Sequence, residues 1–185
     1  MALIGANEPL EVVEAGRDTS PERFQEFGVA VLACVDATQT NAIPKVAIEN
    51  RGWTEYPQKD PEIAKILATF ARPGSPVFVT YVQSQQGCSA EWSVASSQDS
   101  AALLAAAHKS VTEQLSSAYP ETARAEAIDP AARRIFAGES IGILRVEPVS
   151  GAPVKSIRFQ STNKAALDAR LSSTPRTPTQ KPQGQ

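Results

Sequence analysis

The sequence predicts an α+β fold, in which helices pack on a mixed or antiparallel sheet, with a small split barrel as the alternative form of that sheet. Three capping residues stand directly before proline, at Ser20-Pro21, Asp60-Pro61 and Asp129-Pro130, and this pattern is typical of helix starts. Short apolar segments occur in adjacent pairs joined by turn-like loops. Such pairs favour antiparallel neighbours over a doubly wound parallel sheet.

Four helices are predicted from these starts and from apolar periodicity. The first begins after Ser20 and ends near Gly28, and the fourth runs from Asp129 to Gly138. The third spans about residues 99–118. The second carries a stripe at i, i+3, i+4 and i+7, which should face a core. This stripe consists of Ile63, Ile66, Leu67 and Phe70.

Strands are predicted at residues 29–35, 77–83, 88–95, 141–146 and 154–159, with weaker candidates at 10–14 and 43–48. Residues 29–35 and 77–82 are apolar on both faces, which predicts central strands. Residues 88–94 alternate, so Cys88, Ala90, Trp92 and Val94 should face the core. Residues 84–87 and 148–152 are predicted to be hairpin loops.

The composition predicts one domain followed by a basic tail. With 185 residues and 42% hydrophobic content, the chain can form one well-packed core, assigned to residues 1–160. Residues 161–185 are predicted to be a short helix and a Pro/Gln/Thr-rich tail. Four basic residues and one acid follow Gln160, so this part carries about +3 of a net charge of −2. We expect a disordered tail whose Arg176 and Lys181 either bind an acidic partner or simply keep the tail solvated.

The two cysteines, Cys34 and Cys88, have no His or Cys companions at metal-ligand spacing, which excludes a zinc or iron–sulfur site built on them. Both fall in predicted apolar strands, so we expect buried free thiols and a reducing compartment. The chain shows neither a standard secretion signal nor an apolar run of ~18 residues. A cytoplasmic protein is therefore expected, or a virion component if the source is a phage.

The sequence contains no pattern that predicts a catalytic or metal-binding residue. His108, the single histidine, lies on an apolar helix face, where a structural role is expected. Motifs of nucleotide or zinc hydrolysis are absent, and basic and aromatic residues do not alternate as in a nucleic-acid-binding strand. Trp53 and Tyr56 either anchor a loop or form a small ligand or partner patch.

The run SPERFQEFGVAVLACVDATQTNAIPKV resembles the opening of the pyridoxamine-phosphate-oxidase-like split barrels. The order of later elements is also similar, with a helix containing Lys65, a strand pair around Gly87, a long helix ending in Tyr-Pro and a strand reading ILRVEP. This resemblance implies FMN bound at a dimer interface. It also makes Lys45 and Lys65 candidates for contacting the flavin phosphate.

Two functional hypotheses follow. The first is a non-enzymatic binding or assembly protein, for example a structural component of a large particle such as a phage virion, which forms homo-oligomers or binds a protein partner through its tail. The second is an FMN-binding flavoprotein that acts as an oxidoreductase or a flavin carrier. The first rests on missing chemical motifs and the basic tail, and the second rests on the resemblance.

Overall fold

The computed structural model describes residues 19–39 and 43–173. Over these ranges the chain forms five α-helices, a short 3-10 helix at Gln83–Gln85 and eight β-strands. The helices are α1 (Pro21–Ala37), α2 (Pro44–Glu49), α3 (Pro61–Ile66), α4 (Ser100–Ala118) and α5 (Lys164–Ser173). The strands are β1 (Thr54–Tyr56), β2 (Leu67–Ala71), β3 (Val77–Val82), β4 (Gly87–Ala95), β5 (Arg124–Asp129), β6 (Ala132–Ala137), β7 (Ser140–Pro148) and β8 (Val154–Asn163). None of the described helices is both long and apolar enough to cross a membrane.

The eight strands form one antiparallel sheet, which confirms the predicted α+β class. Their order is β1-β2-β3-β4-β8-β7-β6-β5. In the described ranges β1 and β5 are the two edges, so the sheet is open rather than closed into a barrel.

The strand order is mirrored about the central pair of β4 and β8. Each half consists of one long helix followed by four strands, α1 with β1 to β4 and α4 with β5 to β8. The two halves meet where Glu91 lies opposite Arg158.

Helices α1 and α4 cover one face of the sheet and enclose the core. Side chains of β4 alternate, and those that face the helices are buried, as Trp92 is. The ring of Phe24 packs edge-on against Trp92, with 5.1 Å between the ring centroids. The inward positions predicted for β4 are therefore confirmed.

Helix α1 is longer than predicted, and the strand expected at residues 29–35 is wrong. Gly28 lies inside α1 where it approaches α4, and a Cβ at this position would be 2.6 Å from Ser110 Oγ. Ser110 Oγ itself donates to the carbonyl oxygen of Phe24 at 2.6 Å. The glycine therefore allows two helices to pack closely and does not end the first one. The apolar run after it is buried on a helix, a case that periodicity alone does not distinguish from a central strand.

The stripe predicted on a single second helix is divided between a helix and a strand. Helix α3 ends at Ile66, and β2 begins at the next residue and pairs with both β1 and β3. Pairing on both sides gives the backbone of β2 its hydrogen bonds, so the helix does not continue. Phe70 is 1% exposed, but Ile63 and Ile66 are 41% and 52% exposed, so the prediction that they face the core is wrong.

Two other local predictions are wrong, while the third helix is confirmed. Residues 44–49 form α2 instead of a strand, and the helix predicted from Asp129 to Gly138 is instead the turn between β5 and β6 followed by β6 itself. Asp129 Oδ1 accepts a hydrogen bond from the amide of Ala131 at 2.7 Å, which is how aspartate stabilises a turn. Asp99 caps α4 through the amide of Ala102. The weak strand at residues 10–14 lies outside the described residues.

Cys34 and Cys88 form a disulfide, so the prediction of two free thiols is wrong. Their Sγ atoms are 2.08 Å apart and their Cα atoms 5.1 Å apart. Cys34 lies on α1 and not on a strand, and α1 packs directly over β4, where Cys88 faces it. The inference to a reducing compartment rested on free thiols and loses that support.

Candidate functional site

The face of the sheet opposite α1 and α4, here called the uncovered face, carries partly exposed side chains along its central strands. On β3 and β4 every second residue points to this face, and Phe78 is 50% exposed there. Ile143 on β7 lies on the same face and is partly buried. As far as the described residues show, the uncovered face therefore exposes both apolar and polar side chains to solvent.

A charged cluster occupies the middle of the uncovered face. Arg158 Nη2 donates to Glu91 Oε1 at 2.8 Å, and Ser156 Oγ donates to the same oxygen at 2.8 Å. Burial by itself raises the pKa of Glu91, but these two hydrogen bonds and the charge of Arg158 outweigh it, and the net pKa is lowered. These contacts join β4 to β8, although Arg158 Nε is buried without a hydrogen-bond partner.

A cavity of about 480 Å³, here called the sheet-face groove, lies beside this cluster. Its floor comes from outward side chains such as Thr80, Ser89 and Gln160, and α5 forms one wall. The guanidinium groups of Arg134 and Arg170 border it, and no carboxylate is among its lining residues. The groove therefore has a positive lining.

Two further cavities in the described residues have balanced charges. The larger, about 780 Å³, lies at the end of α1 and contains Lys45 and Glu55, which form an ion pair at 2.6 Å. The third contains two arginines and two glutamates, of which Arg23 and Glu26 are 2.9 Å apart. Of the residues that line these three cavities, only those of the sheet-face groove include basic side chains and no acidic one.

Strand β5 is an open edge of the sheet, and all six of its residues are exposed. It pairs with β6, so that Arg124 and Glu126 of β5 lie opposite Phe136 and Arg134 of β6. The guanidinium carbon of Arg124 is 3.9 Å from the centroid of the Phe136 ring. Edge strands present backbone donors and acceptors that can pair with another strand. This edge is thus a candidate surface for association.

The two lysines implied by the split-barrel resemblance are each paired with a carboxylate. Hydrogen bonding to Glu55 is the main cause of the raised pKa of Lys45, and Lys65 Nζ is 2.6 Å from Glu62 Oε1. Lys45 lines the cavity at the end of α1, whereas Lys65 does not. The run that carries the resemblance forms α1 where a barrel strand was expected. FMN binding stays a prediction, which absorption near the flavin bands by the purified protein would test.

His108 lies partly buried on α4, among the apolar residues that face the sheet. Burial lowers its pKa, and the nearby charge of Arg133 lowers it further, so the imidazole is neutral at pH 7. Cys34 and Cys88 offer it no thiolate because they are bonded to each other. Within the described residues, no group of three or more His, Cys, Asp or Glu is placed to hold a metal ion.

Trp53 and Tyr56 have different environments. The sequence left two roles open for them, a loop anchor or a small ligand or partner patch. Trp53 is fully buried, donates from Nε1 to the carbonyl oxygen of Val77 at 3.2 Å and stacks with Arg72. Tyr56 is 58% exposed on β1. The two do not form one patch, and Trp53 anchors its segment to the core.

Sequence reasoning missed the arginines that the structure places on the uncovered face. The alternation in Arg124-Ala-Glu-Ala-Ile-Asp is a strand signal, but Asp129-Pro130 after it suggested a helix start. Arg134 was consequently assigned to a helix, and Arg170 to the segment of short helix and basic tail at residues 161–185. The predicted partner-binding residues Arg176 and Lys181 lie outside the described residues.

Comparison with protein-family models, with curated proteins and with solved structures gave no match for this chain.

Proposed function

We propose that this chain is a binding or assembly protein that associates with a second copy of itself through the edge strand β5. One observation carries the proposal. β5 is a six-residue edge strand, exposed throughout, in which a basic and an acidic residue two positions apart project from the same face.

This spacing makes the strand complementary to itself. When two copies of β5 run antiparallel with Ala125 opposite its counterpart, each Arg124 lies opposite Glu126 of the other copy. Opposite charges directly across an antiparallel pair contribute about 0.2–1 kcal/mol each. The small side chains of Ala125 and Ala127 project from the other face and leave room for the approach.

The backbone supplies the larger part of such an association. Pairing of two edge strands satisfies outward N–H and C=O groups that otherwise face water, and it extends the sheet across both copies. The bulge between Ala127 and Asp129 ends the regular part of the edge. The predicted contact is therefore short and depends on register.

The disulfide indicates in which kind of cellular compartment the association takes place. Disulfides persist in oxidising environments and are rare where thiols are kept reduced. The Cys34–Cys88 bond is buried between α1 and β4. We therefore place the working protein in an oxidising compartment and not in the cytoplasm.

Charge exchange tests the proposal. Native mass spectrometry and sedimentation velocity of the full chain should give a dimer. Arg124→Glu and Glu126→Arg should each shift it toward monomer, since like charges then face each other, and the double exchange should restore the dimer. Arg145→Glu, which changes an exposed arginine on β7 of the same face, is the matched control and should remain dimeric. A parent chain that is monomeric at all concentrations, or single variants that dimerise like the parent, would contradict the proposal.

A further inference from the structure

We propose that the cavity at the end of α1, which contains Lys45 and Glu55 and is here called the α1-end cavity, binds an uncharged aromatic ligand that carries one hydrogen-bond acceptor, such as an aryl ketone. Its volume of about 780 Å³ lies within the range of about 300–1,000 Å³ that small-molecule sites in proteins occupy. The inference goes beyond association through β5 and does not depend on it.

The α1-end cavity lies where the first long helix stops covering the sheet. Helix α1 ends at Ala37, and residues of α2 and α5 border the cavity beyond this end. On the sheet, Ala68 of β2 lies directly opposite Tyr81 of β3, and both line the cavity. The small side chain of Ala68 therefore leaves the space beside the tyrosine ring open.

Tyr81 supplies a buried polar group that faces this space. Its side chain is 9% exposed, and it makes no hydrogen bond to another described residue. Burial raises the pKa of the Tyr81 hydroxyl, so this group is protonated at pH 7 and can donate a hydrogen bond. Buried polar groups in folded proteins are in the large majority hydrogen-bonded. A ligand oxygen in the cavity would give the hydroxyl such a partner.

The other polar side chains of the lining are either bonded within the fold or open to solvent. Thr38 Oγ1 and Gln39 Nε2 each donate to a backbone carbonyl oxygen of α1 at 2.9 Å. Asn163 Nδ2 donates to the carbonyl oxygen of Thr38 at 3.1 Å. Gln83 and Gln86 are exposed. The tyrosine hydroxyl is thus the buried group of this lining that is left to select a ligand.

The charges of the lining compensate each other, which favours an uncharged ligand. Its charged residues are Lys45 and Glu55, which are 2.6 Å apart and both exposed. A charged ligand would lose hydration on entering and would find no unpaired opposite charge in return.

The apolar part of the lining suits a flat ring system. Phe70, 1% exposed, lies on β2 beside Tyr81, and aromatic side chains make favourable stacked or edge-on contacts with other rings. The other apolar residues are mostly small, so they leave room for a ring. These are Ala37, Ile43, Pro44, Ala68, Ala165 and Ala166.

2-Acetylnaphthalene and 2-naphthoate are matched probes, because they share one ring system and differ in carrying a neutral ketone or a carboxylate. In titrations of the full chain followed by amide NMR, 2-acetylnaphthalene should shift the resonances of Ala68, Tyr81 and Ala166. 2-Naphthoate should bind about tenfold more weakly or less, because its charge would be desolvated without a partner.

Two variants test the two parts of the site. Tyr81→Phe should weaken 2-acetylnaphthalene binding about fivefold, because it removes one hydrogen bond and keeps the ring. Tyr56→Phe, at an exposed tyrosine outside the cavity, is its control and should bind like the parent. Ala166→Trp should obstruct the cavity and abolish binding, while Ala169→Trp, on α5 outside the lining, should not. Helix α5 buries none of its own residues, so neither tryptophan enters the core.

The outcomes separate this proposal from association through β5. 2-Acetylnaphthalene should bind the Arg124→Glu variant as it binds the parent, whatever the oligomeric state of that variant. The proposal is overturned if 2-acetylnaphthalene does not bind, if 2-naphthoate binds equally well, or if either Tyr81→Phe or Ala166→Trp binds the ketone like the parent. A circular dichroism melt of each variant establishes that it is folded.

Discussion

Cys34 on α1 is bonded to Cys88 on β4, and the bond crosses the layer between the first long helix and the centre of the sheet. Both residues are buried, at 0% and 3% exposure. They are 54 positions apart in the sequence, and the segment between them contains α2, α3 and the first three strands. The disulfide therefore closes nearly the whole first half of the fold into one covalent loop.

Reduction of this disulfide should destabilise the protein strongly. Closing a loop of this length lowers the entropy of the unfolded chain, which in the chain-entropy model is worth about 4 kcal/mol. A melt with and without dithiothreitol should show a loss of about 10 °C in Tm for a chain of this size. The Cys34→Ala/Cys88→Ala variant is the control, because its Tm should not respond to the reductant. Equal melting of the parent with and without reductant would show that the bond does not form.

His108 should make stability depend on pH just below neutrality. Burial lowers its pKa in the folded state, so below its ordinary value of 6.5 the unfolded chain binds more protons than the folded chain. The stabilising contribution is thus present above pH 6.5 and is lost as the pH falls through the lowered pKa.

His108→Gln should remove this dependence and change stability only modestly at pH 7.5. Urea denaturation at several pH values between about 5 and 7.5 measures the slope, and carboxylates contribute mainly at lower pH. Since the chain has a single histidine, no other imidazole contributes to the slope. A variant with the same slope as the parent would mean that His108 titrates alike in both states.

Phe70 should contribute strongly to the stability of the fold, although it lies on strand β2 and not on the predicted helix. It is 1% exposed on β2, so Phe70→Ala should cost about 3–5 kcal/mol in the free energy of unfolding. Ile66→Ala is the matched comparison, because Ile66 belonged to the same predicted stripe but is half-exposed on α3. Its truncation should cost about 1 kcal/mol or less. Equal costs at both positions would indicate that Ile66 is covered by a partner.

The sequence predicted those elements whose pattern allows one interpretation. The alternation at Cys88, Ala90, Trp92 and Val94 fits only a strand with one buried face, and the structure confirms it. The helix predicted over about residues 99–118 is also confirmed, as α4, which Asp99 caps. In both cases local pattern and tertiary contact agree.

The secondary structure of other segments is decided by tertiary contacts, which the local sequence pattern does not reveal. The apolar run after Gly28 suits a buried helix as well as a buried strand, and packing against Ser110 decides between them. Asp129-Pro130 suits a turn as well as a helix start, and pairing of β5 with β6 decides. The groove was not predictable for the same reason, since Arg134 and Arg170 are brought together by the pairing of β6 with β7 and of β7 with β8.

Removal of residues 174–185 should leave the fold unchanged and reduce binding to acidic partners. Helix α5 ends at Ser173 and buries none of its own residues, so the truncated chain keeps every described element. The removed segment contains no aliphatic or aromatic side chain to bury, and the same Tm is therefore expected.

The removed segment does contain Arg176 and Lys181, while the preceding body is acidic. Poly-glutamate should accordingly bind the full chain at low salt and the truncated chain more weakly, with the difference vanishing at high salt. The variant Arg176→Ala/Lys181→Ala should match the truncation. A lower Tm after truncation, or undiminished poly-glutamate binding, would contradict this role for the tail.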